Sequence, residues 1–153
     1  MSEKRAKSLV LDTSVALKFY LPEEGHEEAL GLLEAAEAGA AELLAPGTLL
    51  PEGFNAIAQQ RRRGLLDEED ATGAWAKLLA APVYTYAVED LIERAATIAN
   101  ETGAIIYDAL FLALAEDTDT VMVTADGKLL QALKSTRHAS LARPLEQISN
   151  LIQ

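Results

Sequence analysis

The sequence predicts one α/β domain, a sandwich of helices around a mostly parallel sheet. Three observations carry this. Short β-branched runs such as SLVLD and VMVTAD alternate with stretches of helical apolar spacing, the signature of strand–helix repeats. The strand-like runs are almost continuously apolar, as strands covered on both faces are. At 153 residues with half of them hydrophobic, the chain has the length and the apolar content for a single core, and no linker, repeat or low-complexity segment divides 1–153.

The elements follow in order. Ser8 to Asp12 is a strand, leading into a short helix that ends near Pro22. Gly25 to Ala38 is a helix, with Ala29, Leu32, Leu33 and Ala36 near helical spacing. Phe19, Tyr20, Leu32 and Leu33 suit either a contact surface for a partner or core. Glu42 to Ala45 reads as a strand. Leu49 to Arg63 is a helix with Thr48 as its expected N-cap and Pro51 in its first turn. Asp67 to Ala80 is another, opened by DEED, which suits the positive end of the helix dipole. Val83 to Tyr86 is strand-like, and helices are expected over Val88 to Glu101 and Ile105 to Glu116. Val121 to Thr124 is a strand of buried type, followed by a helix from Asp126 to Lys134. The end reads as a short strand near Ser140 and a helix from Leu145 to Ile152 after Pro144.

Composition narrows the function. The chain has no cysteine, which excludes disulfides, thiolate metal sites and cysteine nucleophiles, and its two histidines leave histidine-rich metal sites poorly supplied. The charged start SEKRAK leads into an apolar run too short for a secretory leader, and no apolar run is long enough to span a bilayer, so a cytoplasmic protein without membrane contact is expected. A net charge of −11 opposes broad, non-specific nucleic-acid binding, although the cluster Arg61, Arg62 and Arg63 can still meet phosphates.

Four acids stand out. Asp108 is the only charge in the apolar helix AIIYDALFLALA, where an uncompensated carboxylate is costly. Asp12 and Asp126 close strand-like runs, and in an open α/β sheet the site lies beyond the carboxyl ends of the strands. Glu52 opens a helix on which Glu52, Asn55 and Gln59 form a polar stripe toward Arg62 and Arg63, opposite Leu50, Phe54, Ile57 and Ala58. Each acid has an ordinary structural reading: Asp12 and Asp126 as helix caps, Glu52 as a dipole partner, Asp108 at a solvent edge. As a set they suggest one site of hard oxygen donors, which selects Mg²⁺ or Mn²⁺ and suits activation of water against a phosphodiester.

The chain resembles the PIN-domain ribonucleases, and in particular the VapC-type toxins of toxin–antitoxin pairs. The segments VLDTSVALKFYLPEEG, PEGFNAIAQQRRRG, YDALFLALAE and VTADGKLL carry the likeness, with the four acids in the family's order. The resemblance implies a three-layer sandwich and Mg²⁺- or Mn²⁺-dependent endoribonuclease activity with one or two ions. It implies Asp12, Glu52, Asp108 and Asp126 as metal-binding and catalytic acids. Thr13 and Ser14 would line the site, Thr124 would orient a carboxylate or water, and Asn55 would fill a polar position. It also implies a homodimer and an antitoxin partner that sets a basic side chain among the acids. Two positions depart from the pattern: Gly53-Phe54 replaces an aliphatic pair, loosening the turn that carries Glu52, and Gly127 replaces a larger residue. A PIN-like module that binds RNA or a protein without cutting is the alternative. Ser14 stands where a haloacid-dehalogenase-like phosphatase needs its second aspartate, and DTSVA lacks the glycines of a dinucleotide-binding turn.

Overall fold

In the computed structural model, which describes residues 6–152, five strands form one sheet in the order β3-β2-β1-β4-β5. They are β1 (Lys7–Leu11), β2 (Ala41–Pro46), β3 (Val83–Tyr86), β4 (Met122–Thr124) and β5 (Ala142–Pro144). Every pairing is parallel, so the expected mostly parallel sheet is parallel throughout. The expectation about the charged start rests partly on residues 1–5, outside the described residues.

Consecutive residues of a strand face opposite sides of the sheet, and Leu9, Val10 and Leu11 are all 0% exposed. Both faces of β1 are therefore covered, as the continuous apolar runs required. The covering helices are α1 (Thr13–Lys18), α2 (His26–Glu37), α3 (Leu49–Arg62), α4 (Glu68–Leu79), α5 (Ile92–Thr102), α6 (Ile106–Asp117), α7 (Gly127–Leu133) and α8 (Ile148–Leu151). Helix α6 is the deepest: Ala109 to Ala115 are buried without a break. Among the described residues no single helix is long and apolar enough to cross a membrane.

Several boundaries differ from expectation. The single helix expected from Val88 breaks at Leu91, after one 3₁₀ turn at Val88–Asp90. The break sets Leu91, Ala95 and Ile98 on the buried face. The last strand is Ala142–Pro144 and not Ser140, which lies in a 3₁₀ turn. The final helix shrinks to Ile148–Leu151 behind another 3₁₀ turn, Leu145–Gln147. Thr48 precedes α3 but makes no side-chain cap bond. Phe19 and Leu32 prove to be core, at 3% and 0% exposure, with Tyr20 and Leu33 packed partly buried against it.

Gly53 has a packing reason. Helices α3 and α4 form a hairpin in which Trp75 donates its indole N–H to the Phe54 carbonyl at 3.1 Å and stacks on the Phe54 ring. A Cβ at position 53 would lie 2.4 Å from a methyl of Leu78. The glycine lets α4 close on α3, where the sequence alone suggested only a looser turn.

Candidate active site

The order β3-β2-β1-β4-β5 reverses between β1 and β4: the chain steps outward through β2 and β3, then returns to the far side of β1. Clefts at the carboxyl ends of α/β sheets open at such a reversal. Asp12 follows β1, and Asp126 lies two residues beyond β4. The Asp12 amide donates to the Val123 carbonyl at 3.1 Å, holding the two strand ends together.

Two hydroxyls connect the loops. Thr124 Oγ1 donates to Asp12 Oδ2 at 2.7 Å and accepts from the Asp126 amide at 3.0 Å. Ser14 Oγ donates to the same Asp12 oxygen at 2.8 Å and accepts from the Ala125 amide at 3.2 Å. Asp12 occupies the N-cap position of α1 without capping it, because its carboxylate faces these hydroxyls across the sheet. It is 6% exposed, and burial raises its pKa against the lowering effect of both hydroxyls. A buried carboxylate held this way has its orientation fixed.

Glu52 comes from the first turn of α3 and accepts a hydrogen bond from Thr13 Oγ1 at 3.1 Å. Burial raises its pKa, the Thr13 bond lowers it and the Asp12 charge raises it again. The Thr48 hydroxyl also lies near enough to lower that pKa, yet it falls short of hydrogen-bond geometry and is left buried without a partner. Asp108 enters from the first turn of α6. Its pKa is pushed up to about 6, first by burial and then by the charges of Asp12, Asp126 and Glu52. The four acids thus lie within electrostatic reach of one another although they come from separate segments of the chain. The amino ends of α3 and α6, where Glu52 and Asp108 sit, offset part of the repulsion.

Asp126 also does what its ordinary reading predicted. Its Oδ1 accepts from the Lys128 and Leu129 amides at 3.0 and 3.2 Å, capping α7. Those bonds engage one of its two carboxylate oxygens. Among the described residues no three acidic or histidine side chains converge in metal-coordinating geometry. The donor chemistry nevertheless fits a hard divalent cation: the available ligands are carboxylate oxygens, and among the described residues Asp108 gains no hydrogen bond to offset the burial and repulsion that lift its pKa.

Other expected residues lie further along α3. Asn55 and Gln59 are exposed along α3, and the stripe ends at the exposed Arg61, Arg62 and Arg63. Ten residues of helix separate Glu52 from Arg62, about 15 Å along the axis. Arg61 reaches Glu68 at 3.5 Å on the surface. No atom lies within 4 Å of a Cβ placed on Gly127, so that position has open space where a larger side chain was expected. By sequence α6 is hydrophobic nearly all round apart from Asp108. Its start is not buried: Ile105 is 62% and Tyr107 51% exposed beside Asp108.

An all-parallel α/β sandwich with acids gathered at its topological switch point defines the class, and the PIN domain model matches residues 9–134. The chain belongs to the PIN-domain family. It is 33% identical to Ribonuclease VapC3 of Pyrobaculum aerophilum over 127 residues, covering 80% of this chain and 92% of that one. Two crystal structures share the fold. PAE2754 from Pyrobaculum aerophilum aligns with a TM-score of 0.66 at 21% identity, over 95% of this chain and 97% of its own. VapC20 of Mycobacterium tuberculosis, described as a sarcin-ricin loop cleaving toxin, aligns at 0.59 and 18%, over 81% and 94%.

Proposed function

We propose that the protein is a metal-dependent endoribonuclease and the toxin of a toxin–antitoxin pair. One observation carries the reading: four carboxylates from separate elements lie within electrostatic reach of one another at the switch point of a PIN-domain sheet. The likeness to Ribonuclease VapC3 supports RNA as the substrate, and the likeness to a described toxin supports the toxin role. Asp12, Glu52, Asp108 and Asp126 would hold one or two Mg²⁺ or Mn²⁺ ions. A bound ion of this kind supplies a nucleophilic water and neutralises charge on the phosphodiester. The protein's own part is positional. Thr124 and Ser14 fix the Asp12 carboxylate and Thr13 fixes Glu52, while Asp108, with no such hydrogen bond among the described residues, keeps its proton to higher pH than an ordinary aspartate and would release it to an arriving cation. Arg61, Arg62 and Arg63 would meet phosphates away from the scissile bond, and Asn55 would contact substrate on the way. A homodimer and an antitoxin that presents a cation to the acids complete the proposal.

A second reading, a module that binds RNA or a protein without cutting it, is favoured by the absence of three converging ligands among the described residues. Cleavage separates the two. Purified protein is incubated with RNA and Mg²⁺, Mn²⁺ or EDTA, beside Asp108→Asn. Cleavage that needs the ion and falls by at least about a hundredfold in the variant is expected. Wild type inert with both ions on several RNA pools would turn the balance sharply toward the binding module. Equal cleavage by both proteins would remove Asp108 from the site.

A further inference from the structure

We propose that Tyr107, flanked by Ile105, is a stacking platform for an unpaired base of the substrate strand beside the acid cluster. This rests on the nuclease reading for its substrate class and goes beyond it in naming a residue that positions RNA. Tyr107 lies in the first turn of α6, one residue before Asp108. Helical side chains lean toward the amino end of their helix, and Asp108, one residue on, feels the charges of Asp12, Asp126 and Glu52. The rest of that row turns inward: Phe111 and Leu114, one and two turns on, are 1% and 0% exposed, while Tyr107 is 51% exposed. The aromatic ring stands outside a row whose other members are all core. Ile105 at the N-cap of α6 is 62% exposed, so two large apolar side chains stand exposed within three residues of Asp108.

Charge makes such a platform useful. The chain carries 13 basic and 24 acidic residues, and its three-arginine cluster begins nine residues along α3 from Glu52. Beyond what a bound ion supplies, phosphate attraction near the acids is therefore weak, and further affinity there must come from contacts that charge does not oppose. Stacking of a base on an aromatic face is such a contact, tolerant of sequence and strongest for unpaired strands.

The test uses Asp12→Asn to stop turnover, and reads binding of a fluorescein-labelled single-stranded RNA with Mg²⁺ present. Adding Tyr107→Ala is expected to weaken binding roughly tenfold or more, and Tyr107→Phe to restore it. Tyr84→Ala, which removes a ring 65% exposed on the outer strand, serves as the control and is expected to change nothing. With the catalytic acids intact, Tyr107→Ala should raise KM and leave kcat near wild type. Equal RNA affinity with and without the Tyr107 ring overturns the platform, as does a loss that Tyr107→Phe fails to restore or that Tyr84→Ala reproduces. If the unsubstituted protein cuts RNA while that happens, the nuclease reading stands alone. If it cuts nothing but binds RNA through Tyr107, the platform stands and the nuclease reading falls.

Discussion

Asp108 carries the sharpest test at the scale of single residues. Its carboxyl titrates near 6 in the fold against an ordinary 3.8, because it is partly buried among three other acids. A carboxyl whose pKa rises on folding favours the folded state while protonated. That contribution is complete below pH 4 and is lost as pH climbs through about 6. Metal-free wild type should therefore lose stability, relative to Asp108→Asn, between pH 4 and pH 6.5. Thermal melts of both proteins in EDTA across that range would show a widening gap in favour of the variant. A constant gap would mean that Asp108 does not sense its neighbours. Above pH 6, Mg²⁺ or Mn²⁺ should reverse the order by raising the melting temperature of wild type more than that of the variant. The sequence exposed this residue because a lone acid in an apolar helix conflicts with burial. It gave no sign of Asp126's orientation, since the same residue type caps a helix and binds a cation, and only the side-chain rotamer separates the two.

Among the elements, the α3–α4 hairpin sets where Glu52 lies. Gly53→Ala would gain helix propensity but drive a methyl group against buried Leu78. Overpacking of this kind costs about 1–3 kcal/mol, so a net destabilisation of about 1 kcal/mol is expected from urea unfolding. Combined with Leu78→Ala, the same substitution should become neutral or stabilising, a coupling that a double-mutant cycle reads directly. Additive effects would mean that the two helices do not touch at Gly53. Elements with a strong periodic signal were legible: α2, α3, α4 and α6 lie within one or two residues of their expected ranges. Those built by tertiary contact were not. β5 consists of Ala142, Arg143 and Pro144, none a strand former, and is a strand because it pairs with Met122, Val123 and Thr124. Pro144 is tolerated there because β5 is an edge. The turn at Leu91 escaped for the same reason, since burial of Leu91 decides where the helix starts and no glycine or proline marks the place.

On the nuclease reading, the whole molecule must attract a polyanion while carrying a net charge of −11. The sheet order resolves part of this by gathering acids at one cleft, where cations can neutralise them, and leaving Arg61, Arg62 and Arg63 exposed at the far end of α3. The charge is thus divided between an acidic cleft and a remote basic end. That division was only half legible. The acids could be ordered along the chain, but their meeting depended on β1 and β4 becoming neighbours, which no local pattern encodes. It has a measurable consequence for the salt dependence of RNA binding. Each phosphate contact to a single strand contributes about 0.7 to the slope of log affinity against log salt. Replacing Arg62 and Arg63 with alanine should lower that slope by about 1.4 and weaken binding without changing which RNA is preferred. Arg61→Ala should do less, because its guanidinium is shared with Glu68. Binding titrations of an Asp12→Asn background at three or more salt concentrations would resolve the slopes. An unchanged slope would take the arginines out of the RNA path and leave the helix end a solvated surface.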